Sequence, residues 1–151
     1  EIGLFHRTDE RVTKIEKVLV EHGAMNVLGF LPDAKIPGLD SLRGLCSKEG
    51  IFIADVVLIP LEDGDRAEAL SKMGKKTIAI DLNPMSRTAT NAAVTIVDEL
   101  TRAIPELIRN VEDLAGDPRA AKLALSSYDR DENLKLVSKG MAGNLERFHT
   151  R

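Results

Sequence analysis

The chain lacks most of the features that would place it outside ordinary globular enzymes. It carries a single cysteine, Cys46, so neither an intrachain disulfide nor a cysteine-cluster metal site can form. Positive charge is not in excess: 21 basic residues against 24 acidic ones give a net charge of -3. The two signs alternate along the helical segments, which removes the broad basic face that nucleic acid requires. No apolar run approaches the roughly 20 residues of a membrane span, and no charged-then-apolar leader opens the sequence. There is no His-Glu spacing of the zinc type, no GxSxG elbow, no internal repeat and no low-complexity stretch. Nor is there a glycine-containing phosphate turn after the opening strand-like run Glu1-Ile2-Gly3-Leu4-Phe5-His6, where an α/β nucleotide fold usually carries one. These absences lead us to expect a soluble, cytoplasmic protein with no nucleic-acid or membrane partner, whose first β-α unit lies upstream of Glu1.

What is present reads as one α/β domain, long enough to bury roughly two-thirds of its unfolded surface. After the opening run, residues 9–22 place Val12, Ile15, Val18 and Leu19 on one helical face, with Thr8 or Asp9 as N-cap and Gly23 as stop. A strand is expected over 25–30. A long connection follows over 31–50, punctuated by Pro32, Pro37, Gly38, Gly44 and Gly50. Further strands are expected within 51–61, 76–82 and 93–97, with a helix over 66–73. Pro105 suits a first helical turn, so the next helix is expected to begin near it, after an irregular turn from Glu99. Two helices, about 118–127 and 132–148, close the chain. Strands alternating with helices imply a Rossmann-like, doubly wound, mostly parallel sheet over residues 1–116. Residues 117–151 then form a C-terminal helical extension, packed on that domain or on a partner subunit through a stripe of Leu134, Val137, Met141, Leu145 and Phe148.

Two strand-like runs end in dense polar clusters. Val56 to Leu61 leads into Glu62-Asp63-Gly64-Asp65-Arg66, and Thr77 to Ile80 leads into Asp81-Leu82-Asn83-Pro84-Met85-Ser86-Arg87-Thr88. Open α/β sheets bind ligands outside the carboxyl ends of their strands, so the site is expected there. Glu62, Asp63 and Asp65 could hold Mg²⁺ or act as a base, and equally Asp63 or Asp65 could simply cap the helix beginning near Arg66. Asn83, extended before Pro84, would leave its amide free for a base edge or ribose. Ser86, Arg87 and Thr88 would set two hydroxyls around a guanidinium fork suited to phosphate, against the alternative of an Asn-Pro turn with a solvated arginine. Arg7 would point to the same edge and neutralise substrate charge, or pair with Asp9 or Glu10. Arg43 and Lys35, in the long connection, could reach an anionic substrate, although surface exposure is the simpler reading of Lys35. His22 and His149 stand at helix ends, where a dipole role outweighs catalysis.

Six strings, in order and at similar spacing, carry a resemblance over essentially the whole chain. They are Leu4-Phe5-His6-Arg7-Thr8, Ile36-Pro37-Gly38-Leu39, Ala54-Asp55-Val56-Val57, Pro60-Leu61-Glu62-Asp63-Gly64-Asp65-Arg66, Ala79-Ile80-Asp81-Leu82-Asn83-Pro84-Met85-Ser86-Arg87 and Thr95-Ile96-Val97-Asp98. Together they resemble the archaeal phosphopantothenate synthetase family, also called 4-phosphopantoate-β-alanine ligase. The resemblance implies a homodimeric, Rossmann-like enzyme of coenzyme A biosynthesis. Such an enzyme joins 4-phosphopantoate to β-alanine and cleaves ATP to AMP and pyrophosphate. It also implies ATP contacts at Asp81, Leu82, Asn83, Arg87, Thr88, Glu99 and Leu100. Family members can carry Asn where this chain has Glu99, which favours a backbone contact there, and further ATP-contacting arginines belong to an upstream helical tail outside this sequence.

The expected chemistry follows from the reaction class. A carboxylate is a poor acyl donor, and attack on the α-phosphate of ATP replaces an oxide leaving group by AMP. Bringing two anions together calls for Arg87, Mg²⁺ and Arg7 or Arg43. The β-alanine ammonium must lose a proton, a role open to Glu62, Asp63, Asp65 or His6. Asp63, Asp65 and Arg7 are therefore the expected catalytic residues and Arg43 the substrate-binding one. Two alternatives stay open at this point: another Rossmann-like nucleotide-binding enzyme, and a non-catalytic assembly module.

Overall fold

The computed structural model describes residues 1–148, so His149 lies outside the described residues. Three parallel strands, β3 (Val56–Ile59), β4 (Lys76–Ile80) and β5 (Val94–Ile96), form a sheet in the order β3-β4-β5. Helix α2 (Gly64–Lys72) connects β3 to β4, and the short helix α3 (Arg87–Asn91) connects β4 to β5. This β-α-β-α-β run is the Rossmann-like α/β arrangement expected from the alternation. Its core is small and one-sided. Val57 and Ile59 of β3 pack with Ala67, Ala69 and Leu70 of α2 and with Ile36, Leu39 and Cys46 from the preceding connection. Val56 and Leu58, on the opposite face of the same strand, stay exposed.

The amino-terminal part departs from the expected pattern. The runs 1–6 and 25–30 are not strands; a single backbone bond, Ile2 N–H to the Leu28 carbonyl at 2.8 Å, joins them. One bond does not make a ladder, and two extended segments without a third neighbour are marginal as a sheet. Between them α1 (Asp9–Glu21) forms as expected, with the Thr8 hydroxyl accepting from Arg11 N–H. Of its apolar face, Val12 is buried and Val18 and Leu19 are exposed. The long connection is also more ordered than a loop: β1 (Ala34–Lys35) pairs antiparallel with β2 (Leu45–Cys46) around a 3₁₀ turn over Leu42–Gly44.

The carboxyl-terminal part follows the sequence more closely, with one correction. Helix α4 runs Leu100–Ala115, so it begins at Leu100, just after its cap Glu99, rather than near Pro105, which stands inside it. The Glu99 side chain caps the helix by accepting from Thr101 N–H, and Pro105 is exposed, so the proline forfeits one backbone bond without clashing into packed neighbours. Helices α5 (Pro118–Ser127) and α6 (Arg130–Phe148) follow. The start of α6 docks on β5: Leu134 is buried, the Tyr128 hydroxyl accepts from Thr95 N–H at 2.9 Å, and the Asn133 amide donates to the Thr95 carbonyl at 3.0 Å. Among the described residues no helix is long and apolar enough to cross a membrane.

Candidate functional site

The two polar clusters meet at the carboxyl ends of β3 and β4. Thr88 makes the join. It is fully buried, and its hydroxyl accepts the Asp63 N–H at 3.0 Å, tying the start of α2 to α3. Gly64 allows the approach: a Cβ there would stand 2.7 Å from Cβ of Arg87, too close for any larger residue without displacement. Asp63 caps α2 by accepting from Arg66 N–H at 3.2 Å, which realises the capping alternative for that residue. The same carboxylate also accepts from Arg43 at 3.1 Å.

A chain of alternating charges crosses the junction. Arg43 donates to Asp63 and, at 2.7 Å, to Asp65. Asp65 is held on its other oxygen by Arg87 at 2.8 Å, Arg87 reaches Glu68 at 2.8 Å, and Glu68 pairs with Lys72 at 2.7 Å. Bonds from Arg87 first and Arg43 second keep the Asp65 carboxyl below the usual range, and bonds from Lys72 and then Arg87 do the same for Glu68. The two carboxylates in turn push Arg87 upward, Glu68 first. Arg43 is fixed on its other side by the Phe5 ring, 4.8 Å from the guanidinium carbon, while Arg66 donates to the Arg43 carbonyl at 2.7 Å. Glu62 has no hydrogen-bond or ion-pair partner among the described residues.

Two adjoining cavities open on this network. One, of about 320 Å³, is lined by Arg43, Glu62, Asp63, Gly64, Asp65, Asn83, Ser86 and Arg87. The other, of about 370 Å³, shares Arg43, Asp65 and Arg87 and extends under Phe5 and the 37–41 turn. Arg43, Asp63, Asp65, Asn83 and Arg87 are thus brought together from three separate stretches of sequence. Arg7 is not among them: its guanidinium donates to the carbonyls of Gly29 and Phe30, both at 2.7 Å, and it lines neither cavity.

The remaining candidates shape the loop more than they face the cavities. Asp81 is buried, accepting from Asn83 N–H at 2.9 Å and from the Ser86 hydroxyl at 2.5 Å. Ser86 then caps α3 through Ala89 N–H at 2.9 Å. The Asn83 carbonyl oxygen is used by Met85 N–H, which leaves the exposed NH₂ as the free end of that amide. Leu82 is exposed beside it. Glu99 is engaged as the α4 cap, its carboxyl held below the usual range chiefly by Thr101, and neither it nor Leu100 lines either of these two cavities. Sequence reasoning missed Glu68 and Phe5. Glu68 had a readable signal, since it stands one helical turn after Asp65; the stacking of Phe5 on Arg43 had none.

Magnesium fits poorly with these residues. Among the described residues no three Asp, Glu, His or Cys side chains converge as a metal site, because Asp63 and Asp65 spend their oxygens on arginines.

Residues 1–144 match the family model described as phosphopantothenate/pantothenate synthetase. Three archaeal relatives, each named 4-phosphopantoate-β-alanine ligase, are similar to the chain. The protein of Methanospirillum hungatei is 55% identical over 117 residues, 78% of this chain and 47% of the relative. That of Thermococcus kodakarensis is 44% identical over 140 residues, 92% and 49%; that of Methanosarcina mazei is 47% identical over 135 residues, 89% and 53%. The chain spans about half the length of the curated relatives it matches. Six collinear strings, the parallel sheet with its polar strand ends, and a family match over nearly the whole sequence lead to one assignment: this chain belongs to the phosphopantothenate/pantothenate synthetase family.

Proposed function

We propose that this chain provides the strand-end half of an ATP-dependent ligase that joins 4-phosphopantoate to β-alanine, releasing AMP and pyrophosphate, in the cytoplasmic synthesis of coenzyme A. The observation that carries this reading is the convergence of Arg43 and Arg87 on one cavity with the carboxylates of the β3 end. The network is balanced in charge, so an incoming phosphate or carboxylate competes with Asp65 for the two guanidinium groups. Arg87 and the free NH₂ of Asn83 face the cavity from the ATP segment, Arg43 from the phosphopantoate side. Asp65, doubly paired with arginine, is a weak base, whereas Glu62 is unengaged and better suited to hold or deprotonate the β-alanine amine. Asp63 and Asp65 then act by fixing the arginines. No step is routed through a protein-bound Mg²⁺; a metal arriving with ATP would be held chiefly by its phosphates.

The same reading includes two organisational expectations. Residues 1–116 form the nucleotide-binding part and 117–151 its helical extension, and two copies associate through the exposed apolar residues of the last three helices, among them Val111, Leu125 and Leu136. The test is pyrophosphate release measured with ATP, 4-phosphopantoate and β-alanine, using the chain joined to the rest of a relative's length. Release over many turnovers should require both acids, with at most one equivalent released when β-alanine is left out, and Glu62→Gln should raise the KM for β-alanine at least tenfold with little change in ATP affinity. Sustained release with only one of the two acids would point to a different nucleotide enzyme.

A further inference from the structure

Asp65 and Glu68 stand one helical turn apart on α2, and between them they hold the head of Arg87. Nη1 donates to Oδ1 of Asp65 and Nη2 to Oε2 of Glu68, both at 2.8 Å. The stem of Arg87 leaves the first residue of α3, where Gly64 lets the two helices approach. The side chain is 61% exposed, so packing does not orient the guanidinium, and among the described residues the two carboxylates are its only partners. They are not equivalent. Asp65 lines both cavities of the charged network and is shared with Arg43 at 2.7 Å. Glu68 lines only the larger of the two, and its other oxygen is taken by Lys72 at 2.7 Å.

We propose that Glu68 is a positioning residue for nucleotide binding, which keeps the Arg87 fork at the smaller cavity once a phosphate of ATP has taken the place of Asp65. This deepens the proposed function and rests on it. An anion entering between Arg43 and Arg87 competes with Asp65, the carboxylate that both arginines share. Nη1 of Arg87 then passes from Asp65 to the phosphate, while Nη2 stays on Glu68, which lies outside that cavity and out of the anion's way. Because the guanidinium is planar and rigid, one retained bond restricts the directions in which its other donors are offered. Without Glu68 the same exchange leaves a solvated arginine on a flexible stem, and ordering it again costs ATP affinity. The Lys72 ammonium offsets the Glu68 charge, so the pair adds little repulsion toward phosphate. A carboxylate that only competed for Arg87 would weaken ATP binding; Glu68 is placed to strengthen it.

The experiment uses the chain joined to the rest of a relative's length. It measures the Kd for ATP by displacement of a fluorescent ATP analogue, and KM and kcat by pyrophosphate release. Glu68→Ala should raise both the Kd and the KM for ATP about tenfold, with a smaller change in kcat. Glu68→Gln, whose amide oxygen still accepts from Nη2, should stay within about threefold of the original. In an Arg87→Ala background, adding Glu68→Ala should alter the Kd by less than about twofold, because nothing remains to be positioned. The unfolding midpoint should hold in the Glu68 variants, since exposed ion pairs contribute little to stability. The inference is overturned if the Ala variant binds ATP as tightly as the original or tighter, if Gln does not restore binding, or if the loss persists without Arg87. An unaltered protein that binds no ATP would overturn the proposed function and this inference together, whereas each of the Glu68 outcomes leaves ATP binding by the original intact and overturns the inference alone.

Discussion

Replacing Thr88 by Val tests whether the two strand ends are held together by one buried hydroxyl. Val keeps the shape of Thr and the methyl group, so the packing of this fully buried side chain is preserved. What disappears is the acceptor for Asp63 N–H, now bonded at 3.0 Å. An unsatisfied buried donor costs about 1–3 kcal/mol, and the half-buried setting of this bond lets water recover part of it, giving about 1.5 kcal/mol. Thr88→Ser keeps the acceptor and deletes one buried methyl, at about 1 kcal/mol. The two variants therefore lose similar global stability in urea denaturation at unchanged m, and they diverge locally. In amide exchange followed by NMR, Asp63 N–H should exchange roughly tenfold faster in the Val variant, the ratio expected for about 1.4 kcal/mol, and should remain protected in the Ser variant. Equal protection of Asp63 in both variants, or a Val variant within about 0.5 kcal/mol of the original, would refute the reasoning.

Asp81 should behave as a loop organiser. Asp81→Ala, which removes two charge-assisted bonds, is expected to cost about 3 kcal/mol in urea denaturation, and Asp81→Asn, which can still accept from Asn83 N–H, about 1 kcal/mol; equal costs would contradict this. The acid response should depend on Asp65, whose folded pKa lies below the ordinary value of about 3.9. Its contribution is fully present above that value and is lost as pH falls through the lowered folded pKa. The stability gap between the original chain and Asp65→Asn should therefore close on acidification, and a gap independent of pH would show that the carboxylate charge is not involved.

Much of the fold is local and was legible. The β-branched runs of β3, β4 and β5 and the Thr8 cap each place an element through its own residues. The failures share a cause. The segments 1–6 and 25–30 have strand-like composition, but a strand exists only by pairing, and here one backbone bond is all that pairs them. Pro105 reads as a helix start because its penalty is intrinsic, yet the Glu99 cap starts α4 six residues earlier.

That the two polar clusters meet was legible for a topological reason: strands that run parallel deliver their following loops to one edge, so two polar clusters after two such strands must be neighbours. Which residues within them line the cavity was not. Asp81 and Asn83 are both polar and only two positions apart, yet one is buried as the anchor of a turn and the other lines the cavity. The same holds for Arg7 and Arg43. Both are arginines expected at the edge; one is consumed by two backbone carbonyls and the other, from a connection with no strand signal, closes the charge network. Composition, periodicity and cap chemistry thus determined the α/β class and the address of the candidate site, and the six motif strings the family, because these depend on near neighbours in sequence. The division of labour within the site depended on contacts between residues about 20 or more positions apart, and only the tertiary structure decided it.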